Sequence, residues 1–368
     1  MEWVRGDILG HGSFGTVSLA KLKSSQLNTC HMIPQLMAVK SCGVSSSASL
    51  LNEKQILDGF KDCPEIIQCY GDSYSFENGE KLYNVFLEYA SGGNLADKVK
   101  NSCDRRLPEN EVRRYIKGIL RGLKFIHKNG FVHCDIKLQN VLLSQDGAVK
   151  IADFGLSKKD GAEEEGNLGG QLRGTPLYMS PEMVVGGDQS SAADIWAIGC
   201  LVVEMFTGAP VWRCSDIAGL LMRIGVGDEV PEIPGKLSEE GKDFIRKCFV
   251  KDPKNRWTAE MLLDHPFLSD HNHHDDDDGT VSFKQIPSTS PRCAFDFPDW
   301  ISQQSSLTFS ITSLSLPASP PDSHSWFSGK ELNSFEGSWS NSPANRLGEL
   351  VNDQQLDWFG SDDWVAVR

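Results

Sequence analysis

The chain has no Cys-x-x-Cys pair, and its ten cysteines follow no regular spacing. That argues against a zinc frame or a disulfide scaffold, so reduced thiols in a reducing compartment are expected. Long apolar runs are missing too. The most apolar stretch, Ile195 to Trp212, is broken by Glu204 and is short for a membrane span, so it reads as a buried helix. The opening residues, MEWVRGDILG, lack a basic segment leading into an apolar one, and no signal peptide is expected. Basic charge is in deficit: 36 Lys and Arg face 50 Asp and Glu, a formal net charge of −14. A surplus of that sign argues against nucleic acid and anionic membranes as direct partners. The expectation is a soluble cytoplasmic chain, with the nucleus left open and secretion excluded.

What is present is unevenly spread. At 368 residues and 39% hydrophobic content, one large or two smaller cores can be buried. Two regions are expected, an ordered domain over 1–268 and an acidic tail over 269–368. The tail carries 15 Asp and Glu against 5 Lys and Arg, a net of −10, which leaves −4 for the rest. It is rich in Ser, Pro and Asp without sustained periodicity, so it is expected to be disordered. Five of the nine tryptophans, at 300, 326, 339, 358 and 364, stand in it, mostly beside acids and serines. Such a segment can dock a regulatory protein or lie back on the domain, and the residues leave both open. The run HNHHDDDD from His271 reads as a solvated charged tract ahead of a metal site.

Residues 4 to 22 read as strand, glycine turn and strand. Gly10, Gly12, Gly15 and Val17 spell GxGxxGxV. A dinucleotide fold uses similar letters, but there a helix follows the turn, whereas here Thr-Val-Ser-Leu-Ala continues as a β-branched strand. A glycine flap brings backbone N–H groups close to phosphate oxygens, because no Cβ obstructs the approach. Val17 and Ala38 would then stand above and below an adenine ring. Lys40 closes the apolar strand Met37 to Lys40. A helix is expected over Ser49–Phe60, with Leu50, Leu51, Ile56 and Leu57 on its apolar side. Further strands are expected around Ile66–Tyr70 and Tyr83–Leu87, and an amphipathic helix over Glu111–Lys128 with Gly130 as its cap.

The chemistry concentrates in Phe131 to Gly155, FVHCDIKLQNVLLSQDGAVKIADFG. Two short strands turn at Gln145-Asp146-Gly147, with Asp135 before the hairpin and Asp153 after it, so the two carboxylates can converge on one pocket. That suits phosphoryl transfer. Asp135 can orient a hydroxyl and accept its proton, Asn140 and Asp153 are hard oxygen ligands for Mg²⁺, and Lys137 can neutralise charge on a moving phosphate.

In wording and spacing this stretch resembles the catalytic loop and DFG segment of the eukaryotic protein kinases. GTPLYMSPE from Gly174 is similar to the family's GTxxYMAPE, DIWAIG from Asp194 to its core helix, and Arg256 to the partner of Glu182. The resemblance covers 1 to 268. It implies a bilobal α+β fold: a small antiparallel-sheet N-lobe with one helix over about 1–87, a hinge at 88–90 and a larger mainly helical C-lobe over about 91–268. ATP and Mg²⁺ are implied. The nucleotide contacts would be Leu9, Gly10, His11, Gly12, Ser13, Phe14, Gly15, Thr16, Val17, Ala38, Lys40, Glu88, Ala90 and Leu142. Glu53 would hold Lys40 against the α- and β-phosphates, beside catalytic Asp135 and Lys137, with Asn140 and Asp153 on the metal. Leu87 falls at the gatekeeper position. Thr175 with Lys137 marks the serine/threonine class. More narrowly, WxRGxxLGxGSFGTV, the phrase HCDIK and the acidic-aromatic tail resemble plant MAP kinase kinase kinases of the MEKK-like group. That implies a MAP kinase kinase as protein substrate, in stress and abscisic acid signalling.

Departures from the family pattern carry expectations of their own. Asn94 and Gln139 stand where kinases directed to basic sites carry acids, which puts an upstream arginine preference in doubt. Cys134 stands where most kinases have the arginine that pairs with an activation-loop phosphate. The loop itself, Lys158 to Arg173, contains no Ser, Thr or Tyr. A missing acceptor and a missing reader agree, so activity is expected not to need phosphate there. The glutamates at 163 to 165 could supply fixed negative charge in its place, or form an ordinary solvated loop. Rival readings are a serine/threonine kinase outside the MAP kinase cascade, a pseudokinase scaffold, against which Lys40, Asp135, Asn140 and Asp153 are all intact, and a small-molecule phosphotransferase, which would normally lack GTPLYMSPE.

Overall fold

The alternation on either side of the glycine turn folds as a hairpin. In the computed structural model, which describes residues 2–12, 14–23, 33–161, 173–186, 189–214 and 216–269, β1 (Trp3–Gly12) and β2 (Gly15–Leu22) pair antiparallel with Gly12 opposite Gly15. Gly15 has φ +146°, and a Cβ there would collide with the carbonyl oxygen of Ser41, so the turn requires glycine. Next come β3 (Leu36–Gly43), β4 (Cys69–Glu77) and β5 (Glu80–Leu87). Together they make one antiparallel sheet in the order β1-β2-β3-β5-β4. Register sorts its two faces. Lys40 lies opposite Val17 and Val85, and Ala38 opposite Leu87, all on the inner face. The residues between them turn outward, where Ala20, Leu22, Met37, Val39 and Phe86 form a small second core. Trp3 seals that core edge-on against Phe86, at 5.2 Å between ring centroids.

The strand expected around Ile66–Tyr70 begins instead at Cys69 and runs on to Glu77. Ile66 and Ile67 belong to the other lobe's strand pair: Ile67 N–H donates to Ile151 O at 3.0 Å, and Ile151 N–H to Glu65 O at 2.7 Å. The exposed side chains at 72, 74 and 76 alternate with half-buried ones, which is the pattern of an edge strand. Between β3 and β4, α1 (Ala48–Asp58) packs under the sheet. Its buried residues are Leu50, Glu53, Ile56 and Leu57, whereas Leu51, expected inside, is 38% exposed. Leu50, Glu53 and Leu57 follow the i, i+3, i+7 spacing of one helix face, and Leu51 falls about 100° away.

After the connection at 88–90 the chain becomes mainly helical. α2 (Leu95–Lys100) is capped by Asn94, whose side chain accepts from Asp97 N–H. α3 (Glu109–Lys128) buries Val112, Tyr115, Ile116, Ile119, Leu120, Leu123 and Ile126, the face its periodicity predicts. Gly130 follows it at φ +74°, donating to His127 O at 2.9 Å. Then come β6 (Phe131–Val132), the hairpin β7 (Val141–Leu143) and β8 (Val149–Ile151), and β9 (Lys158–Lys159), which pairs with β6. The remaining helices are α4 (Pro181–Gly186), α5 (Ser191–Thr207), α6 (Ile217–Gly225), α7 (Glu239–Cys248) and α8 (Ala259–Leu263). α5 is the most buried, with Trp196, Ile198, Leu201 and Val202 inaccessible, as the most apolar stretch predicts. Among the described residues no helix is long and apolar enough to cross a membrane.

One ion pair ties this lobe together. Arg256 is fully buried and grips Glu182 at 2.6 and 2.9 Å, while Nη1 also donates to Ala192 O and Nε to Val250 O. At the end of the described chain, Phe267 is buried beneath the Arg113 guanidinium, 4.6 Å from its ring centroid. Ser13, the linker residues 24–32, the glutamates 163–165, the His271 run and the five tail tryptophans lie outside the described residues. Phe267 and Leu268 are buried, and the composition of 269–368 does not favour a core, so a chain ending near Leu268 is expected to melt within about 4 °C of the full chain. It should also keep its ATP turnover. A larger drop in a thermal melt would show that the tail packs on the domain.

Candidate active site

The sheet, α1 and the two hairpin flanks meet at Lys40. Its ammonium lies 2.7 Å from Glu53 Oε2 and 2.8 Å from Asp153 Oδ1, with Lys40 and Glu53 both buried. Burial opposes the charged amine, but the two carboxylates outweigh it and raise its pKa, so Lys40 stays protonated. The same ammonium holds Asp153 below the usual carboxylate range against its own burial. Glu53 also accepts the N–H of Phe154 at 3.4 Å. Above them Phe14, at the tip of the β1–β2 turn, places its ring centroid 5.9 Å from Lys40 Nζ. His11 bonds across the hairpin to Thr16 at 3.2 Å.

On the other side, Asp135 is held in a small polar knot. Lys137 Nζ is 2.8 Å from Asp135 Oδ2, the Thr175 hydroxyl donates to Asp135 Oδ1 at 2.7 Å, and Lys137 donates to Thr175 at 3.1 Å. Asn140 Nδ2 donates to the Asp135 carbonyl and to its Oδ2, each at 2.9 Å. That leaves Asn140 Oδ1 buried and without a hydrogen-bond partner. An orphaned hard oxygen on the same wall as Asp153 fits a divalent cation, which such oxygens prefer to ligate.

The loop carrying Asp135 gets its shape from below. Asp194 on α5 accepts the N–H of His133 at 2.9 Å and of Cys134 at 3.0 Å, and contacts His127 Nε2 at 2.9 Å. Cys134 takes φ +66°, uncommon for a residue with a side chain, and those bonds hold it there. Its thiol is buried against the Val132 carbonyl, and desolvation pushes its pKa up, so it stays a thiol. Gly174, at φ +101°, packs so close that a Cβ would meet Cys134 O at 2.5 Å.

Apolar residues of both lobes pack together beside the connection at 88–90. Ala38, Leu87 and Ala90 belong to the main core, with Leu9 and Val17 from the sheet and Leu142 from β7 packed against it. Next to Leu87, Glu88 is anchored by Lys150 at 2.9 Å. Of the sequence-predicted residues, the structure brings Lys40, Glu53 and Asp153 into one set of contacts and Asp135, Lys137 and Asn140 into another, while Ser13 is not described. Sequence reasoning passed over Ser49 and Asn52. Their signal was spacing, since they share a helix side with Glu53.

A flap over a paired lysine, with two carboxylates and an orphaned amide oxygen on the facing wall, is the equipment of a nucleotide-dependent phosphotransferase. Comparison with known proteins narrows the class. Residues 3–268 match the family model described as protein kinase domain. Mitogen-activated protein kinase kinase kinase 20 of Arabidopsis thaliana is 46% identical over 375 residues, covering all of both chains. Mitogen-activated protein kinase kinase kinases 17 and 18 of the same plant are each 41% identical over 73% of this chain, covering 70% and 78% of theirs. The chain belongs to the protein kinase family. Within it, this is a serine/threonine protein kinase of the MAP kinase kinase kinase type.

Proposed function

We propose that this kinase transfers the γ-phosphate of ATP to a serine or threonine of a MAP kinase kinase, in a plant stress or abscisic acid cascade. The observation that carries the chemistry is the Asp135–Lys137–Thr175 knot facing the Lys40–Glu53–Asp153 triad. In this reading Leu9, Val17, Ala38, Ala90 and Leu142 enclose the base. Backbone N–H groups of the turn from Gly10 to Thr16, His11 and Phe14 included, face the phosphates, and Glu88 and Ala90 offer main-chain groups to the adenine edge. Lys40, kept charged by its two carboxylates, orients the α- and β-phosphates. Asp135 accepts the proton of the incoming hydroxyl and Lys137 offsets charge on the moving phosphoryl group. Asn140 and Asp153 would hold the divalent metal, which when bound neutralises phosphate charge. The substrate assignment is supported by full-length likeness to a MAP kinase kinase kinase, and the cascade by the resemblance of the opening and of HCDIK. A panel of catalytically inactive MAP kinase kinases tests both. Selective phosphorylation of one member is expected, and equal labelling of all of them and of unrelated proteins would overturn the substrate assignment.

Control by phosphate in the central loop is not part of this reading. Lys158 to Arg173 offers no hydroxyl, and the flanking ones are engaged or inaccessible. Ser157 is buried and donates to His133 O at 3.1 Å, Thr175 is spent on Asp135, Tyr178 donates to Glu204 at 2.5 Å, and Ser180 is fully buried. Bacterially produced kinase stripped with a phosphatase is therefore expected to keep full activity. Loss of activity that returns with phosphate at Ser157 or Thr175 would refute it.

A further inference from the structure

If no phosphate orders the segment after Asp153, something else must hold it, because Lys40 and Glu53 act only while Asp153 and Phe154 stay in place. Three side chains on one side of α1 reach that segment. Ser49 donates to Gly155 O at 3.0 Å, Asn52 Nδ2 donates to Ser157 O at 2.9 Å, and Glu53 Oε1 accepts from Phe154 N–H at 3.4 Å. The spacing 49, 52, 53 is i, i+3, i+4, so the three stand on one helix face. Ser157 passes the connection on, since its hydroxyl donates to His133 O, two residues before Asp135. The helix that carries Glu53 is thereby tied to both the metal-side and the proton-side carboxylates. No bond in the set involves the side chain at 134, whose thiol turns back to Val132.

We propose that Ser49 and Asn52 are positioning residues for phosphoryl transfer: they fasten the main chain of 155–157 to α1 and so keep Lys40, Glu53 and Asp153 aligned without an arginine–phosphate pair. The idea rests on the kinase reading. It assigns the ordering task to neutral donors on main-chain carbonyls, which need no modifying enzyme and are little affected by salt.

The test compares the full-length parent with Ser49→Ala, Asn52→Leu and Asn52→Asp, following phosphate transfer to dephosphorylated casein. Failure of the parent itself would count against the kinase reading, whereas a difference between variants and an active parent addresses the clamp. Each substitution is expected to lower kcat about tenfold, as for loss of one positioning contact. The KM for casein and the melting temperature should stay close to the parent's. Asn52→Asp is the sharper variant. It keeps the shape but sets a carboxylate against a carbonyl oxygen, so its kcat should fall at least as far as that of Asn52→Leu. A packing role would let Asn52→Asp pass with parental kcat. Unchanged kcat in Ser49→Ala and Asn52→Asp, or losses that only track a lowered melting temperature, would overturn the proposal.

Discussion

Asp135→Asn is expected to cut turnover by at least about 10²-fold, and Lys40→Met and Asp153→Asn by similar factors. Each removes a different piece of one transition state. Without the Asp135 carboxylate, the substrate hydroxyl loses its proton acceptor, and Lys137 and Thr175 lose the group that they share at 2.8 and 2.7 Å. Without the Lys40 ammonium, two carboxylates are left facing each other across a buried site, since Glu53 and Asp153 both depend on it. The losses should not add, because the groups act as a unit, and the double variant Lys40→Met/Asp135→Asn should be little slower than either single one. Initial-rate measurements on protein purified away from other kinases decide it. Near-parental phosphorylation by Asp135→Asn would remove the assignment of the proton acceptor.

The second large effect concerns stability. Arg256→Met is expected to destabilise the helical lobe by about 3–5 kcal/mol, because it leaves Glu182 as a largely buried charge without its partner. The two guanidinium bonds at 2.6 and 2.9 Å go, and so do the donations to the carbonyls of Ala192 and Val250. At about 2–4 °C per kcal/mol, the melting temperature should fall by roughly 10 °C. Replacing both partners, as Arg256→Met/Glu182→Leu, should recover part of the loss, since no charge is then stranded. A double variant no more stable than Arg256→Met would show that the carbonyl contacts, and not the ion pair, carry the effect.

The sequence made legible those features where a motif fixes its own geometry. GxGxxGxV specifies a turn that only glycine can make, and the phrase from His133 to Asn140 carries its donors and acceptors at fixed separation on one loop. Features set by contact between distant segments stayed hidden. Ile66 and Ile67 read as part of a strand because they are apolar and β-branched, yet their partner is Ile151, on another lobe's hairpin. Leu51 reads as core because it follows Leu50, yet helix geometry turns it outward and gives its place to Glu53, a charge that burial tolerates only with Lys40 beside it. Ser49 and Asn52 look like ordinary polar residues on an amphipathic helix. Their meaning depends on a segment more than a hundred positions away folding against them.

The two main-chain bonds from Asp194 to residues 133 and 134 have a consequence for how such enzymes diverge. The bend that presents Asp135 is imposed through the backbone by a carboxylate on another helix, so the side chain at 134 is relieved of any duty in shaping it. A substitution at 134 can therefore change what that side chain contacts while the bend at Asp135 is kept, so the position can diverge between lineages without cost to the catalytic geometry.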